Sequence, residues 1–157
     1  MSAKPQINKL MTGLAGEYAV AASMNLKGWI ASLTLKNYPS VDIFGFNPQY
    51  NLTAHIQVKT NKTEHFFTGI RHSDLEHLES IIKGPFVFVH AKDDSLDSMS
   101  FYILSRSEII SLIRESDNSY FCDPHKRTIK DNYTILLYLK RDKLIDYKDC
   151  WDSLWKD

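Results

Sequence analysis

Two β-type segments at residues 41–46 and 53–60, joined by a turn containing Asn47-Pro48 and Asn51, constrain this chain more than any other feature. Side chains alternate along a strand, so Ile56 and Val58 share one face while His55, Gln57 and Lys59 share the other. The apolar pair belongs in a core, which turns Gln57 and Lys59 together toward a groove. Asp42, on the neighbouring strand, brings a carboxylate to the same place. A carboxylate, an amide and an amine arranged in this way can hold a divalent cation beside a fixed positive charge.

A second carboxylate stands just upstream. Thr12 is a candidate N-cap, and an alanine-rich helix is expected from there to the stop signal at Gly28. Gly13, Glu17, Val20 and Met24 fall on one stripe of that helix, and all but Glu17 are small or apolar. Three and four residues away, Glu17 meets Gly13, Leu14, Val20 and Ala21, so no cation on its own helix pairs with it. An acid on an inward stripe points to a metal-binding or catalytic role. Gly13 and Gly16 would let the helix backbone approach the sheet closely.

The remaining signals outline one domain over residues 1–157. A strand is expected at 29–35. Ser73 and Glu76 read as a capping box opening a helix that ends at Gly84-Pro85. FVFVHA at 86–91 and SFYIL at 100–104 are apolar enough for central strands. Ser105 and Glu108 form a second capping box for a helix around 107–114. A polar loop follows at 115–131, then a strand at 133–139 and a terminal helix whose one face carries Trp151, Leu154 and Trp155. The expected fold class is α/β, with helices covering a mixed sheet.

Taken together, the glutamate in GLAGE, the aspartate in VDIFGF and IQVKT, in this order and at these distances, resemble the PD-(D/E)XK nuclease superfamily. The closest branch has glutamine in place of the acid before X-Lys; archaeal-type Holliday junction resolvases and small restriction-like nucleases share that outline. The resemblance covers about residues 12–104. It implies a restriction-endonuclease-like αβββαβ core, with a C-terminal strand and helix added here. It implies a Mg²⁺-dependent endonuclease, with Mn²⁺ as a substitute ion, that hydrolyses nucleic acid, DNA above all. Carried over by position, Asp42 is the metal-binding aspartate, Gln57 the second ligand, Lys59 the catalytic lysine and Glu17 the helix-one glutamate. The Val58 carbonyl would complete the metal shell. Two departures stand out: Pro39 lies three residues before Asp42, so the PD dipeptide is absent, and Gln57 brings no charge to the ion.

Charge and competing motifs narrow the choice. Lysine plus arginine and aspartate plus glutamate number 19 each, so the chain is neutral overall, which weighs against indiscriminate nucleic-acid binding but permits a local basic cleft. Lys62, His65 and Arg71 lie just beyond the second strand and are candidates to reach phosphates. Cys122 and His125 have ligand-like spacing without a second pair, so structural zinc is not expected. Cys122 and Cys150 read as free thiols of a reducing compartment. No phosphate-cradling glycine loop, secretory signal or membrane-length apolar run occurs, so the expected location is the cytoplasm. Trp151 and Trp155 should dock the last helix; as an exposed pair they would mark a homodimer interface. Three functions stay open: a Mg²⁺-dependent endonuclease, a catalytically weak relative that binds nucleic acid, and a partner or immunity module that kept only the fold.

Overall fold

The computed structural model describes residues 5–35, 39–121, 134–137 and 141–156. Helix α1 (Pro5–Leu26) leads into strands β1 (Ile30–Leu33), β2 (Ile43–Asn47) and β3 (Leu52–Asn61). Strand β4 (Phe66–Arg71), a 3-10 turn (His72–His77) and the short helix α2 (Leu78–Ile81) connect β3 to β5 (Phe86–Ala91). Strand β6 (Met99–Leu104), helix α3 (Arg106–Phe121), strand β7 (Thr134–Leu137) and helix α4 (Arg141–Leu144) follow. The 3-10 segments Ile145–Tyr147 and Trp151–Trp155 close the described chain. The expected αβββαβ order is thus realised, with β4 inserted before α2.

Five strands form one mixed sheet in the order β1-β2-β3-β5-β6. The first three make an antiparallel meander, β5 runs parallel to β3, and β6 returns antiparallel to β5. Both faces of the sheet are covered. On one, Val20 and Met24 of α1 pack with Ile43, Ile56, Val58, Val87 and Val89. On the other, Phe86, Phe88 and Leu104 meet Leu78, Ile82, Ile109 and Ile113. This double covering explains why β5 reads as an unbroken apolar run.

Several boundaries differ from the sequence expectation. Helix α1 begins at Pro5 rather than at Thr12, whose hydroxyl instead donates back to the Asn8 carbonyl at 2.9 Å within the helix. Proline suits that start because the first N–H groups of a helix have no acceptor within it. The helix expected after Ser73 is largely a 3-10 turn, and its cap is Asp74, which accepts from the Arg71 N–H at 3.0 Å; Glu76 does not serve. The second capping box is present in both directions: Glu108 Oε2 accepts from the Ser105 N–H at 2.7 Å and Ser105 Oγ from the Glu108 N–H at 3.3 Å. Beyond it α3 continues to Phe121, through the first part of the expected loop; the rest of that loop, with Cys122 and His125, lies outside the described residues.

Strand β6 is an edge strand, not a central one. Its apolar character follows from the C-terminal segment that covers it, where Tyr102 bridges Lys148 and the Asp149 N–H donates to the Phe101 carbonyl at 3.0 Å. The expected strand at 133–139 is found as β7, which joins β4 in a separate two-stranded sheet. The terminal helix is a 3-10 segment. Its Trp151 is buried, and Trp155 stacks on Trp29 with ring centroids 5.9 Å apart, so the tryptophans dock the tail onto the fold. Cys150 is a free thiol, as expected. Among the described residues no helix is long and apolar enough to cross a membrane.

Candidate active site

The site begins where the β2–β3 hairpin splits. Ladder pairing between the two strands ends at Ile43↔Ile56, and the Asp42 N–H still donates to the Ile56 carbonyl at 2.9 Å. Two residues beyond Ile56, the Val58 N–H has no ladder partner among the described residues on that side. Asp42 Oδ2 takes its place and accepts from it at 2.7 Å. The Gln57 N–H turns the other way and donates to the Pro85 carbonyl at 3.0 Å. Each strand residue directs its N–H and C=O to the same edge. The Val58 carbonyl therefore faces the edge that carries Asp42.

Alternation along β3 places Gln57 and Lys59 on one side of the sheet and Ile56 and Val58, with Ile43 paired to Ile56, on the other, while Asp42 stands in the bend just before β2. All three of the polar residues are half-buried, whereas Ile43 and Ile56 are fully buried. Helix α1 presents Glu17, half-buried, one turn before the fully buried Val20 and Met24. Gly16 permits this approach. A Cβ there would collide with the Thr60 side chain, whereas one at Gly13 would meet nothing within 4 Å. The close approach expected of both glycines thus belongs to Gly16.

Electrostatics tie three of the residues together. Burial pushes the Lys59 ammonium below its ordinary pKa of 10.5, and the charges of Asp42 and then Glu17 act in the opposite direction. Lys59 thus sits in the field of both carboxylates. Of the expected oxygen donors, Asp42 and Val58 meet at the fork through their hydrogen bond, Gln57 lies on the side of the sheet away from the face that α1 covers, and Glu17 is tied to the site by its charge on Lys59. An all-oxygen set of this kind suits a hard cation such as Mg²⁺. Among the described residues no group of three or more His, Cys, Asp or Glu side chains could hold a metal ion, so the fit depends on the two neutral oxygens.

Beside the fork lies an open cleft of ≈ 1080 Å³ between the N-terminal half of α1, the end of β3 and β4. Lys59 and Val58 line it, whereas Asp42, Glu17 and Gln57 do not; Lys59 is the ionisable residue common to cleft and fork. Lys9, Asn8 and Lys62 supply further polar walls. Lys62 pairs with Asp94 at 2.5 Å, with both side chains exposed. His65 and Arg71, candidates for phosphate contact, are not on the cleft wall. Lys9 and Asn8 lie before the Thr12 cap that the sequence suggests; Pro5 at the first helical position is the signal that places them on α1.

Neither a protein-family model nor a curated protein matches the sequence. Among solved structures, the bacterial homing endonuclease I-Ssp6803I is similar, with a TM-score of 0.50 over 96% of this chain and 91% of that one at 13% identity. At that identity the likeness is one of fold. The chain has a nuclease-like mixed α/β fold.

Proposed function

We propose that this protein is a Mg²⁺-dependent endonuclease of the PD-(D/E)XK type acting on DNA. The observation that carries the reading is Lys59, half-buried at the hairpin fork in the field of Asp42 and Glu17 and opening into the cleft. A phosphodiester laid along the cleft would meet a cation next to an anionic pocket, the pairing that phosphoryl transfer requires. The likeness to a homing endonuclease fold supports the same class.

Asp42, Glu17, the Gln57 side-chain oxygen and the Val58 carbonyl would hold Mg²⁺. Bound there, the ion would polarise a phosphoryl oxygen and lower the pKa of a water molecule. The Val58 N–H fixes the Asp42 carboxylate through Oδ2, which leaves Oδ1 for the ion. Lys59 balances the charge that builds on the non-bridging oxygens as the water attacks phosphorus. Glu17 and Asp42 together favour the charged form of that lysine.

A second reading, binding without cutting, draws on the donor set: Gln57 contributes no charge, and among the described residues the carboxylates fall short of a three-residue cluster. A single screen separates the two. Purified protein is incubated with Mg²⁺ or Mn²⁺ against duplex, single-stranded and junction DNA, alongside Lys59→Ala. Divalent-dependent cleavage that disappears in the variant is the expected result. Salt-sensitive binding with no cleavage under either ion would establish the second reading instead.

A further inference from the structure

We infer that Phe67 on β4 is a stacking platform for an unpaired base of the substrate, so that the preferred DNA has single-stranded character next to the cleavage point. The inference rests on the nuclease reading above and specifies its substrate.

Strand β4 alternates cleanly, with Phe66, Thr68 and Ile70 buried and Phe67, Gly69 and Arg71 exposed. Phe67 is the exception to the usual logic of such a face, being a large apolar ring that is 52% exposed. It forms part of the wall of the same cleft that Lys59 enters. Its next neighbour on that face is Gly69, which carries no side chain, has φ +78° and lies at an irregularity in the β4–β7 pairing. A Cβ placed there would meet nothing within 4 Å, so no side chain fills the position next to Phe67 on that face. Free space beside an exposed aromatic is what a nucleobase can fill.

The charges in the cleft match the rest of a nucleotide. Lys9 holds its Nζ over one face of the Phe67 ring, 6.0 Å from its centre, which leaves the other face to a base and the lysine beside it for a phosphate; Lys62 lies on the same wall. The Lys62–Asp94 pair is solvent-exposed and therefore weak enough for a phosphate to compete for the lysine. Cations spaced around one aromatic offer backbone contacts with a base between them, the pattern of single-strand recognition. In a fully paired duplex every base is already stacked on its neighbours, and none is available to Phe67 without the cost of extrusion.

The test compares two DNAs of matched sequence, a fork with single-stranded arms and a fully paired duplex. Affinities are measured by fluorescence anisotropy in Ca²⁺ at fixed ionic strength, and cleavage in Mg²⁺. Wild type should favour the fork. Phe67→Ala should weaken fork binding on the order of tenfold, the usual effect of losing one stacked base, and pull the fork-to-duplex ratio toward one. Phe67→Trp should restore the ratio. A 2-aminopurine in the arm should be quenched by wild type and less so by Phe67→Ala. Equal losses on both DNAs, or no loss on the fork, would overturn the stacking role while leaving the nuclease reading intact. A wild type that neither binds nor cuts any DNA would overturn both.

Discussion

Asp42 Oδ2 accepts a hydrogen bond from the Val58 N–H at 2.7 Å, and this one contact both closes the fork of the hairpin and orients the carboxylate proposed to bind the ion. The two roles come apart by mutation. Asp42→Asn keeps an acceptor for the Val58 N–H but removes the charge. It should fold with near wild-type stability, bind Mg²⁺ weakly and fail to cleave. Asp42→Ala removes the acceptor too and should lose about 1–3 kcal/mol of stability. Denaturant unfolding and calorimetry on the two variants check this. An asparagine variant that cut DNA at the wild-type rate would remove Asp42 from the mechanism.

The lysine beside it makes stability depend on pH. Burial depresses the folded-state pKa of Lys59 below 10.5, so between the two values the unfolded chain binds more protons than the folded one. Stability therefore carries a cost that is fully present below the folded pKa and is relieved as pH rises from that value toward 10.5. Lys59→Met has no charge to bury. It should be more stable than wild type at neutral pH, with the advantage shrinking as the solution becomes alkaline. Unfolding curves of both proteins across the neutral-to-alkaline range provide the comparison; a constant difference would contradict it. Removing either carboxylate, by Asp42→Asn or Glu17→Gln, should lower the Lys59 pKa further.

Period and parity make much of this architecture legible in the sequence. The alternation at Ile56, Val58 and Lys59, the helical stripe from Glu17 to Met24 and the Ser105–Glu108 capping box are local patterns, and local patterns survive folding. What escaped depended on distant partners. Strand β4 gave no clear signal because its ladder partner among the described residues, β7, lies more than sixty residues on, beyond the reach of local periodicity. The apolar segment at β6 suggested a central strand because a sequence does not say which chain covers an edge; here the turn at Lys148 and Asp149 does. Phe67 on the cleft wall belongs to that same strand β4, whereas Lys9 becomes legible only with the start of α1 at Pro5.

Gly16 and Gly13 offer a test of how α1 is seated. A side chain at residue 16 would enter the space of Thr60, so Gly16→Ala should lose about 1–3 kcal/mol through overpacking and move Glu17 away from Lys59. Gly13→Ala meets nothing and replaces a poor helix former by the best one, so it should be neutral or gain up to about 1 kcal/mol. The double variant Gly16→Ala/Thr60→Ala should recover much of the loss. Thermal and denaturant unfolding of the three proteins decide the matter, and equal stabilities for the two single variants would show that α1 does not approach the sheet at Gly16.

Gln57 offers the sharpest probe of the proposed ion. It lies next to Val58 at the fork, half-buried, with its N–H held by the Pro85 carbonyl, so a substitution there changes charge with little change of backbone. Gln57→Glu should tighten Mg²⁺ binding, because hard cations favour anionic oxygens. Without the ion the new carboxylate would add to the negative charge of the proposed site, so the metal-free variant should be less stable than wild type and recover on adding Mg²⁺. Cleavage need not rise, since a further negative charge also repels the incoming phosphate. Calorimetric titration of both proteins at fixed ionic strength, with unfolding measured with and without Mg²⁺, reads all of these effects. Equal Mg²⁺ affinities would mean that residue 57 is not a ligand, and the reading in which the protein binds DNA without cutting it would then be the better account.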